Sequence, residues 1–360
     1  MKRLELLIFV LQLLPVIDYA AESPETIRGT CMGTKYAVTV VDRPTGLPLA
    51  SLEEQIGDEL ERIEQIFSLY RPTSELSRLN AATSGEWIGV STDLLAVTKR
   101  AANLAEATGG AFDPTVGPLL KLWRLRQVST NWSPPTREAI AETMQRVGWR
   151  KFEIREDPPG IRKLTDGVEL DLNALVEGWA IDRMTQLLAE ERIESALIEL
   201  GGEFRGLGHK ANGEPWRIGI ENPREAGACY ATVQLQDHAL STSGNYREPI
   251  EHQGRHYGHI LDARRGEPVQ HDLLSVSVIA TDATTADGWA TALLALGPLD
   301  GPALAEKHDI AASFVIKAAP LKNPRVPNQI RIHLTTRARG KVTLLETHNE
   351  TDRILKRTIP

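Results

Sequence analysis

Along this sequence, pairs of predicted β-strands joined by short turns alternate irregularly with long amphipathic helices. The turn Asp157-Pro158-Pro159-Gly160 separates two predicted strands at 151–155 and 161–164. Residues 51–67 instead carry apolar side chains at the spacing of one helix face. Such hairpins do not belong to a regular series of parallel βαβ units. The mixture therefore predicts an α+β fold, with mixed sheets flanked by helices.

Residues that typically begin or end a helix locate several of the other secondary-structure elements. Ser51 and Glu54 have the spacing of a capping box at the start of the first helix. Gly109-Gly110 is expected to end a helix over 93–108, and Gly297 to end a helix over 283–296. The same reasoning predicts helices over 136–147 and 175–191 and strands over 36–41, 168–172, 196–200, 216–220, 230–236, 273–280, 311–316 and 341–346.

The charge balance argues against a nucleic-acid partner. The formal net charge is -7, and no basic run of five or more residues occurs. A protein that binds nucleic acid by charge attraction normally carries such a basic patch. Hydrophobic residues make up 41% and charged residues 25% of the chain, which is ordinary usage for a globular protein.

Residues 1–21 have the layout of a secretory signal peptide. Lys2-Arg3 precedes an apolar run over 6–16, and the small residues Ala20-Ala21 follow. We therefore expect an exported, periplasmic protein, which an uncleaved signal would tether to the membrane. Neither cysteine lies near the expected cleavage position, so a lipid anchor is not expected there.

The rest of the chain is predicted to form one domain over 22–317. A C-terminal extension over 318–360 follows, and we expect it either to close the sheet or to form an appendage. Cys31 and Cys229 are the only cysteines in the sequence. An exported protein can pair them or leave both free, and the sequence leaves both alternatives open.

Asp287 and Thr291 are the first candidates for chemistry. They are four residues apart on a predicted helix, so both side chains lie on one face. A carboxylate and a hydroxyl are hard oxygen ligands, suited to magnesium or calcium. The alternative is that Asp287 interacts with the helix dipole while Thr291 is half-buried.

Three further segments have both a chemical and a structural interpretation. Asp171 stands where a predicted strand turns into a helix, a place that often holds phosphates or metals, or where a carboxylate simply caps the helix. His259 is a lone histidine between apolar residues, either a general base or a structural side chain. The turn Ser243–Arg247 offers an arginine to a phosphate, or is an ordinary surface turn.

The order of these motifs resembles the ApbE family of FAD:protein FMN transferases. The resemblance covers about residues 29–316. It is carried by Gly29-Thr30-Cys31-Met32-Gly33-Thr34, Tyr70-Arg71-Pro72, the long motif over 108–118, Asp171 to Gly178, Leu200-Gly201-Gly202, Thr242-Ser243-Gly244, His259-Ile260-Leu261-Asp262, Thr285-Ala286-Asp287 and Ala290-Thr291-Ala292.

The resemblance implies a role for each matching position. Asp287, Thr291 and the backbone carbonyl of Ala174 would hold Mg²⁺, with Ca²⁺ as the alternative. His259 would be the catalytic base. The FAD site would be lined by Met32, Tyr70, Ala111, Phe112, Asp113, Asp171, Glu177 and Ile260.

The resemblance also implies the activity and the architecture. The reaction would be Mg-dependent transfer of FMN from FAD to a Thr or Ser hydroxyl of an acceptor protein, with release of AMP. The fold would be T-fold-like, with the active site in a central cleft. The acceptor would be a flavoprotein subunit of a membrane redox complex or a similar exported protein. The rivals are an FAD pyrophosphatase that gives FMN and AMP, and a non-catalytic periplasmic flavin-binding protein.

Four positions depart from the common family pattern. Asn173 stands where glycine is frequent, and Glu203 follows Gly201-Gly202 where aspartate is common. Ala263 replaces a usual proline after Asp262, and Gly288 replaces a usual alanine. None of these changes removes a residue that was given a role above.

Overall fold

The computed structural model describes residues 23–125, 132–246, 250–318 and 330–345. The predicted α+β class, with several sheets flanked by helices, is confirmed, although the described strands pair in an antiparallel manner throughout and the sheets are not mixed. The predicted signal peptide lies outside the described residues. The helices are α1 (Leu49–Phe67), α2 (Glu75–Ala81), α3 (Thr92–Ala107), α4 (Gly117–Trp123), α5 (Arg137–Met144), α6 (Asn173–Glu190) and α7 (Ala283–Lys307). The strands are β1 (Glu25–Cys31), β2 (Thr34–Val40), β3 (Trp87–Gly89), β4 (Phe152–Arg155), β5 (Gly160–Lys163), β6 (Ala196–Leu200), β7 (Glu203–Leu207), β8 (Trp216–Glu221), β9 (Cys229–Leu235), β10 (His238–Gly244), β11 (Ile250–His252), β12 (Arg255–Tyr257), β13 (Leu261–Asp262), β14 (Glu267–Pro268), β15 (Leu273–Ala280), β16 (Ala311–Lys317), β17 (Ile330–Leu334) and β18 (Val342–Leu344).

An eight-stranded sheet forms the centre of the molecule. Its strands run in the order β1-β2-β6-β7-β10-β15-β16-β17, and each neighbouring pair is antiparallel. Strand β17 comes from the predicted C-terminal extension and lies at the edge, beside β16. The crossovers between non-consecutive strands bring distant parts of the chain into one layer.

The central sheet is covered on both faces. Phe314 packs into the core on the side of the helices, and the next residue, Val315, packs on the opposite side. That second side is covered by a three-stranded sheet in the order β18-β9-β8. Successive side chains of a strand point to opposite faces, so a strand buried on both faces is apolar throughout.

Helix α7 consists of two helical segments separated by a kink. Gly297 has a non-helical backbone (φ 85°, ψ -174°) and ends the first segment, as predicted, while the second segment runs on to Lys307. Pro298 has no N–H to donate to the carbonyl of Leu294. The Nε2 atom of His271 lies 2.9 Å from that carbonyl oxygen and takes the place of the missing donor. The predicted helix end at Gly297 is therefore confirmed, and the carbonyl left at the kink has its own hydrogen-bond partner.

Two local predictions are wrong. Ser51 is not the N-cap of α1, because the carbonyl of Pro48 accepts from the N–H groups of Ser51 and Leu52. Residues 168–172 form no regular strand. The backbone N–H and carbonyl of Leu170 are instead paired with the side chain of Asn80, at 2.8 and 2.9 Å.

The described residues contain no helix that is long and apolar enough to cross a membrane. Cys31 is buried and Cys229 is exposed, and both are free thiols. Burial raises the pKa of the Cys31 thiol to about 12, so this group is a poor nucleophile.

Gly178→Ala should lower the free energy of unfolding by about 1–3 kcal/mol, because a Cβ at this position overpacks the contact between α6 and α7. That Cβ would lie 2.4 Å from the carbonyl oxygen of Ala283. Gly57→Ala is the matched control, since nothing lies within 4 Å of its added Cβ. This control should stabilise α1 by about 0.4–1 kcal/mol. Urea unfolding measures both effects, and equal effects would contradict the packing argument.

Candidate active site

A cavity of about 640 Å³ opens where the central sheet, α6 and α7 meet. The N-terminal turn of α6, the face of α7, the turn between β6 and β7, and the C-terminal end of β10 contribute to it. The predicted site residues in its wall are Ala111, Phe112, Asp113, Asp171, Ala174, Glu177, His259, Ile260, Asp287 and Thr291.

The two oxygen ligands predicted on α7 both face this cavity. Asp287 is 5% exposed, and its Oδ2 accepts from the backbone N–H of Gly178 at 3.2 Å. The hydroxyl of Thr291 pairs with that of Ser243 at 2.9 Å. Because Ser243 belongs to β10, the sheet and the helix together fix the direction of the Thr291 hydroxyl.

The electrostatics around Asp287 favour a cation. Burial raises the pKa of its carboxyl, and the negative charges of Glu203 and Glu177 raise it further. Among the described residues, no group of three or more His, Cys, Asp or Glu side chains is arranged to hold a metal ion. The donors present are one carboxylate, one hydroxyl and the nearby backbone of Ala174. This set of hard oxygen donors fits Mg²⁺, which keeps several waters and uses few protein carboxylates.

Asp171 and Asp113 hold the loops of the cavity wall together. Oδ1 of Asp171 accepts from the N–H of Asn173 at 3.0 Å, so the carboxylate also caps the start of α6. Oδ1 of Asp113 accepts from the N–H and the hydroxyl of Thr115, at 2.8 and 2.6 Å. Its Oδ2 accepts from the N–H of Trp149 at 2.7 Å. The two interpretations of Asp171 are therefore compatible: it lines the cavity and caps the helix.

His259 lies between β12 and β13, and its side chain is exposed in the cavity wall. The segment that follows it is fixed by two hydrogen bonds. The carbonyl of Ile260 accepts from Val269 N–H at 3.0 Å, and Ala263 N–H donates to the carbonyl of Ala111 at 3.1 Å. An accessible imidazole next to a fixed segment has the placement that proton transfer needs.

Met32 and Tyr70 line a neighbouring cavity of about 460 Å³. Asn173 and Glu177 line both cavities, so the two are adjacent. The side chain of Tyr70 is 80% exposed, which is unusual for a large aromatic group in a folded protein. A planar ligand that stacks on Tyr70 would cover this surface. The structure thus gathers all twelve predicted site residues around two adjoining cavities.

Comparison with known proteins agrees with this geometry. The model of the ApbE family matches residues 32–314, most of the chain. The chain belongs to the ApbE family. A relative from Vibrio cholerae serotype O1, named FAD:protein FMN transferase, is 35% identical over 292 residues, covering 81% of this chain and 87% of the relative. A Treponema pallidum protein of the same name is 32% identical, covering 74% of this chain and 77% of its own length.

Solved ApbE structures have the same fold. The apo form of the Pseudomonas stutzeri flavinyl transferase ApbE superimposes with a TM-score of 0.79 at 32% identity, covering 89% of this chain and 96% of the other. The flavin transferase ApbE from Vibrio cholerae has a TM-score of 0.78 at 31% identity, covering 88% and 99%. The resemblance predicted from the sequence motifs is therefore confirmed.

Sequence reasoning missed part of the ApbE site in this chain. Glu203 and Ser241 were given no role, yet both are buried next to Asp287 or its neighbours. The departure from the family pattern at Glu203 was the only available signal. Ser243 was placed in a polar turn, but it belongs to β10. Arg247, the predicted phosphate contact, lies outside the described residues.

Proposed function

We propose that this ApbE protein transfers the FMN half of FAD to a Thr or Ser hydroxyl of an acceptor protein and releases AMP. One observation supports it above all: Asp287 and Thr291 on α7 line the same cavity as His259, which lies between β12 and β13. The relatives carry this activity in their names. The prediction of an enzyme that uses FAD and a protein acceptor is confirmed at that level.

The protein's residues have distinct tasks in this reaction. The imidazole of His259 takes the proton of the acceptor hydroxyl as its oxygen attacks the phosphorus on the FMN side. A new O–P bond to FMN forms, the P–O bond to AMP breaks, and AMP leaves with the electron pair. Tyr70 and Phe112 orient the flavin nucleotide, so that positioning provides much of the rate enhancement.

Asp287, Thr291 and the carbonyl of Ala174 would hold a divalent cation. Mg²⁺ is proposed, with Ca²⁺ as the alternative, because the donors are hard oxygens. When bound, such a cation neutralises charge on the diphosphate oxygens of FAD. The support is the negative surroundings of Asp287, where Glu203 and Glu177 both raise the pKa of its carboxyl.

The proposal includes the cellular location of the enzyme and the kind of acceptor protein. We propose an exported, periplasmic enzyme on the basis of the signal-like residues 1–21. Its acceptor would be a flavoprotein subunit of a membrane redox complex or a similar exported protein. Detection of the protein in the periplasmic fraction tests the first point, and flavinylation of co-expressed candidate subunits tests the second.

Incubation with FAD, Mg²⁺ and an acceptor domain tests the activity. Intact-mass spectrometry should show the acceptor gaining one covalently bound FMN, with an equal amount of AMP released. An acceptor whose target Thr or Ser is replaced by Ala is the control and should gain nothing. AMP release with no labelled acceptor would favour the pyrophosphatase. FAD binding with no AMP would favour a flavin-binding protein.

Tyr70→Ala should weaken FAD binding about tenfold, since aromatic stacking contributes about 0.5–1.5 kcal/mol beyond area burial. Flavin fluorescence titration measures the Kd. Leu299→Ala is the control, because Leu299 is 81% exposed, as Tyr70 is, and lines neither cavity. Native affinity in Tyr70→Ala would remove this side chain from the FAD site.

A further inference from the structure

Glu203 lies behind the cavity wall at the start of β7. Its side chain is 9% exposed and is not part of the cavity lining. Oε1 accepts a hydrogen bond from the hydroxyl of Ser241 at 2.7 Å. Ser241 is itself 1% exposed and belongs to β10, the strand next to β7. The carboxylate is therefore held in one orientation by a buried hydroxyl.

The second carboxylate oxygen of Glu203 has no such donor. Oε2 is buried and lacks a hydrogen-bond donor among the described residues. It belongs to a carboxyl that lies within hydrogen-bonding reach of the Asp287 carboxyl. Two ionised carboxylates offer only acceptor oxygens, so this contact is favourable only when the two groups share a proton or a cation lies beside them.

We propose that Glu203 is a positioning residue of the cation site: anchored by Ser241, it holds Asp287 from behind and adds a second negative charge that increases divalent-cation affinity. This inference rests on the cation site proposed above and concerns a residue to which that proposal gives no role. Glu203 acts through Asp287 and is not a ligand, because it does not line the cavity.

The expected loss of cation affinity follows from what is known of residues that hydrogen-bond to the ligands of metal sites. A hydrogen-bonded group behind a ligand fixes its orientation and raises its basicity, and its loss costs roughly 10- to 100-fold in metal affinity. Glu203→Gln keeps the acceptor for Ser241 and the shape of the side chain, but it removes the charge. Glu203→Asp keeps the charge, but it is one methylene too short to reach both Ser241 and Asp287.

The test measures Mn²⁺ binding by electron paramagnetic resonance, with saturating FAD and no acceptor. Glu203→Gln should raise the Kd for Mn²⁺ about 10- to 100-fold. Glu203→Asp should give a rise between those of the native protein and the glutamine variant. Ser313→Ala is a control for the sheet, since it removes a buried hydroxyl bonded to Tyr230 instead of to a carboxylate. It should leave the Kd unchanged. A rise of less than about tenfold in Glu203→Gln overturns the inference.

A second variant covers the case in which Glu203→Gln does not fold. Ser241→Ala leaves the charge in place and removes the anchor, so it should also raise the Kd for Mn²⁺, and a native Kd overturns the inference. Asp287→Asn separates this inference from the proposed function. If Asp287→Asn binds Mn²⁺ with native affinity, the cation site itself is wrong. If only Asp287→Asn loses affinity and the Glu203 variant binds normally, the cation site stands and the role of Glu203 is rejected.

Discussion

His259→Ala should reduce flavin transfer by about 100- to 10,000-fold, the range by which a positioned general base usually contributes. The imidazole is exposed in the cavity wall, and two hydrogen bonds fix the segment that follows it. Its removal leaves a methyl group that cannot take the proton of an acceptor hydroxyl. FAD binding should stay close to native, because the remaining lining is unchanged.

The matched control is His256→Ala. His256 is exposed on β12, three residues before His259, and it does not line the cavity. Pre-steady-state flavinylation of an acceptor domain, followed by mass spectrometry, measures the rate in both variants. Normal rates in His259→Ala, or equal losses in both variants, would show that His259 is not the base.

The residue pair Asp287 and Thr291 was the most predictable part of the site. Both residues lie on one helix, so a spacing of four residues is enough to place both side chains on one face. The structure confirms that both face the same cavity. Their proposed roles as ligands stay predictions. Local periodicity succeeds here because it depends only on the geometry of the helix.

Contacts between distant strands were not predictable in this way. Glu203 meets Ser241 because β7 and β10 are neighbours in the sheet, although β8 and β9 lie between them in the chain. A single sequence contains no signal for that strand order. The buried carboxylate behind Asp287 therefore became visible only in the folded protein.

Local signals succeeded at the kink of α7 and failed at residues 168–172. Gly297-Pro298 has the signature of a helix end, and Gly297 does end the first segment of α7, where His271 pairs with the carbonyl that Pro298 leaves without a donor. Residues 168–172 were predicted to form a strand, but Asn80 pairs with the backbone of Leu170 instead. Asn80 lies far away in the chain, beyond the window that a propensity argument uses.

Asp287→Asn should abolish cation-dependent activity and yet stabilise the cation-free protein. The substitution keeps the shape of the side chain and an oxygen to accept from Gly178 N–H. It removes a buried carboxyl group whose pKa is raised by burial and by the charges of Glu203 and Glu177. The cation should lose its main anionic ligand, while the folded protein no longer bears the free-energy cost of burying an ionisable group beside two other carboxyl groups.

Two measurements, for which the expected changes have opposite signs, make this prediction specific. The FMN-transfer rate of Asp287→Asn should stay as low with added Mg²⁺ as that of the native enzyme in excess chelator. The thermal midpoint of Asp287→Asn, measured in chelator, should be higher than that of the native protein. Asp300→Asn, an exposed position on the same helix, should change neither. A variant that were both inactive and less stable would indicate ordinary structural damage, and full native turnover in chelator would reject the cation site. Lost activity together with gained stability is expected only if Asp287 is buried in order to bind the cation. A purely structural carboxylate would instead stabilise the folded protein, so its loss would lower the thermal midpoint.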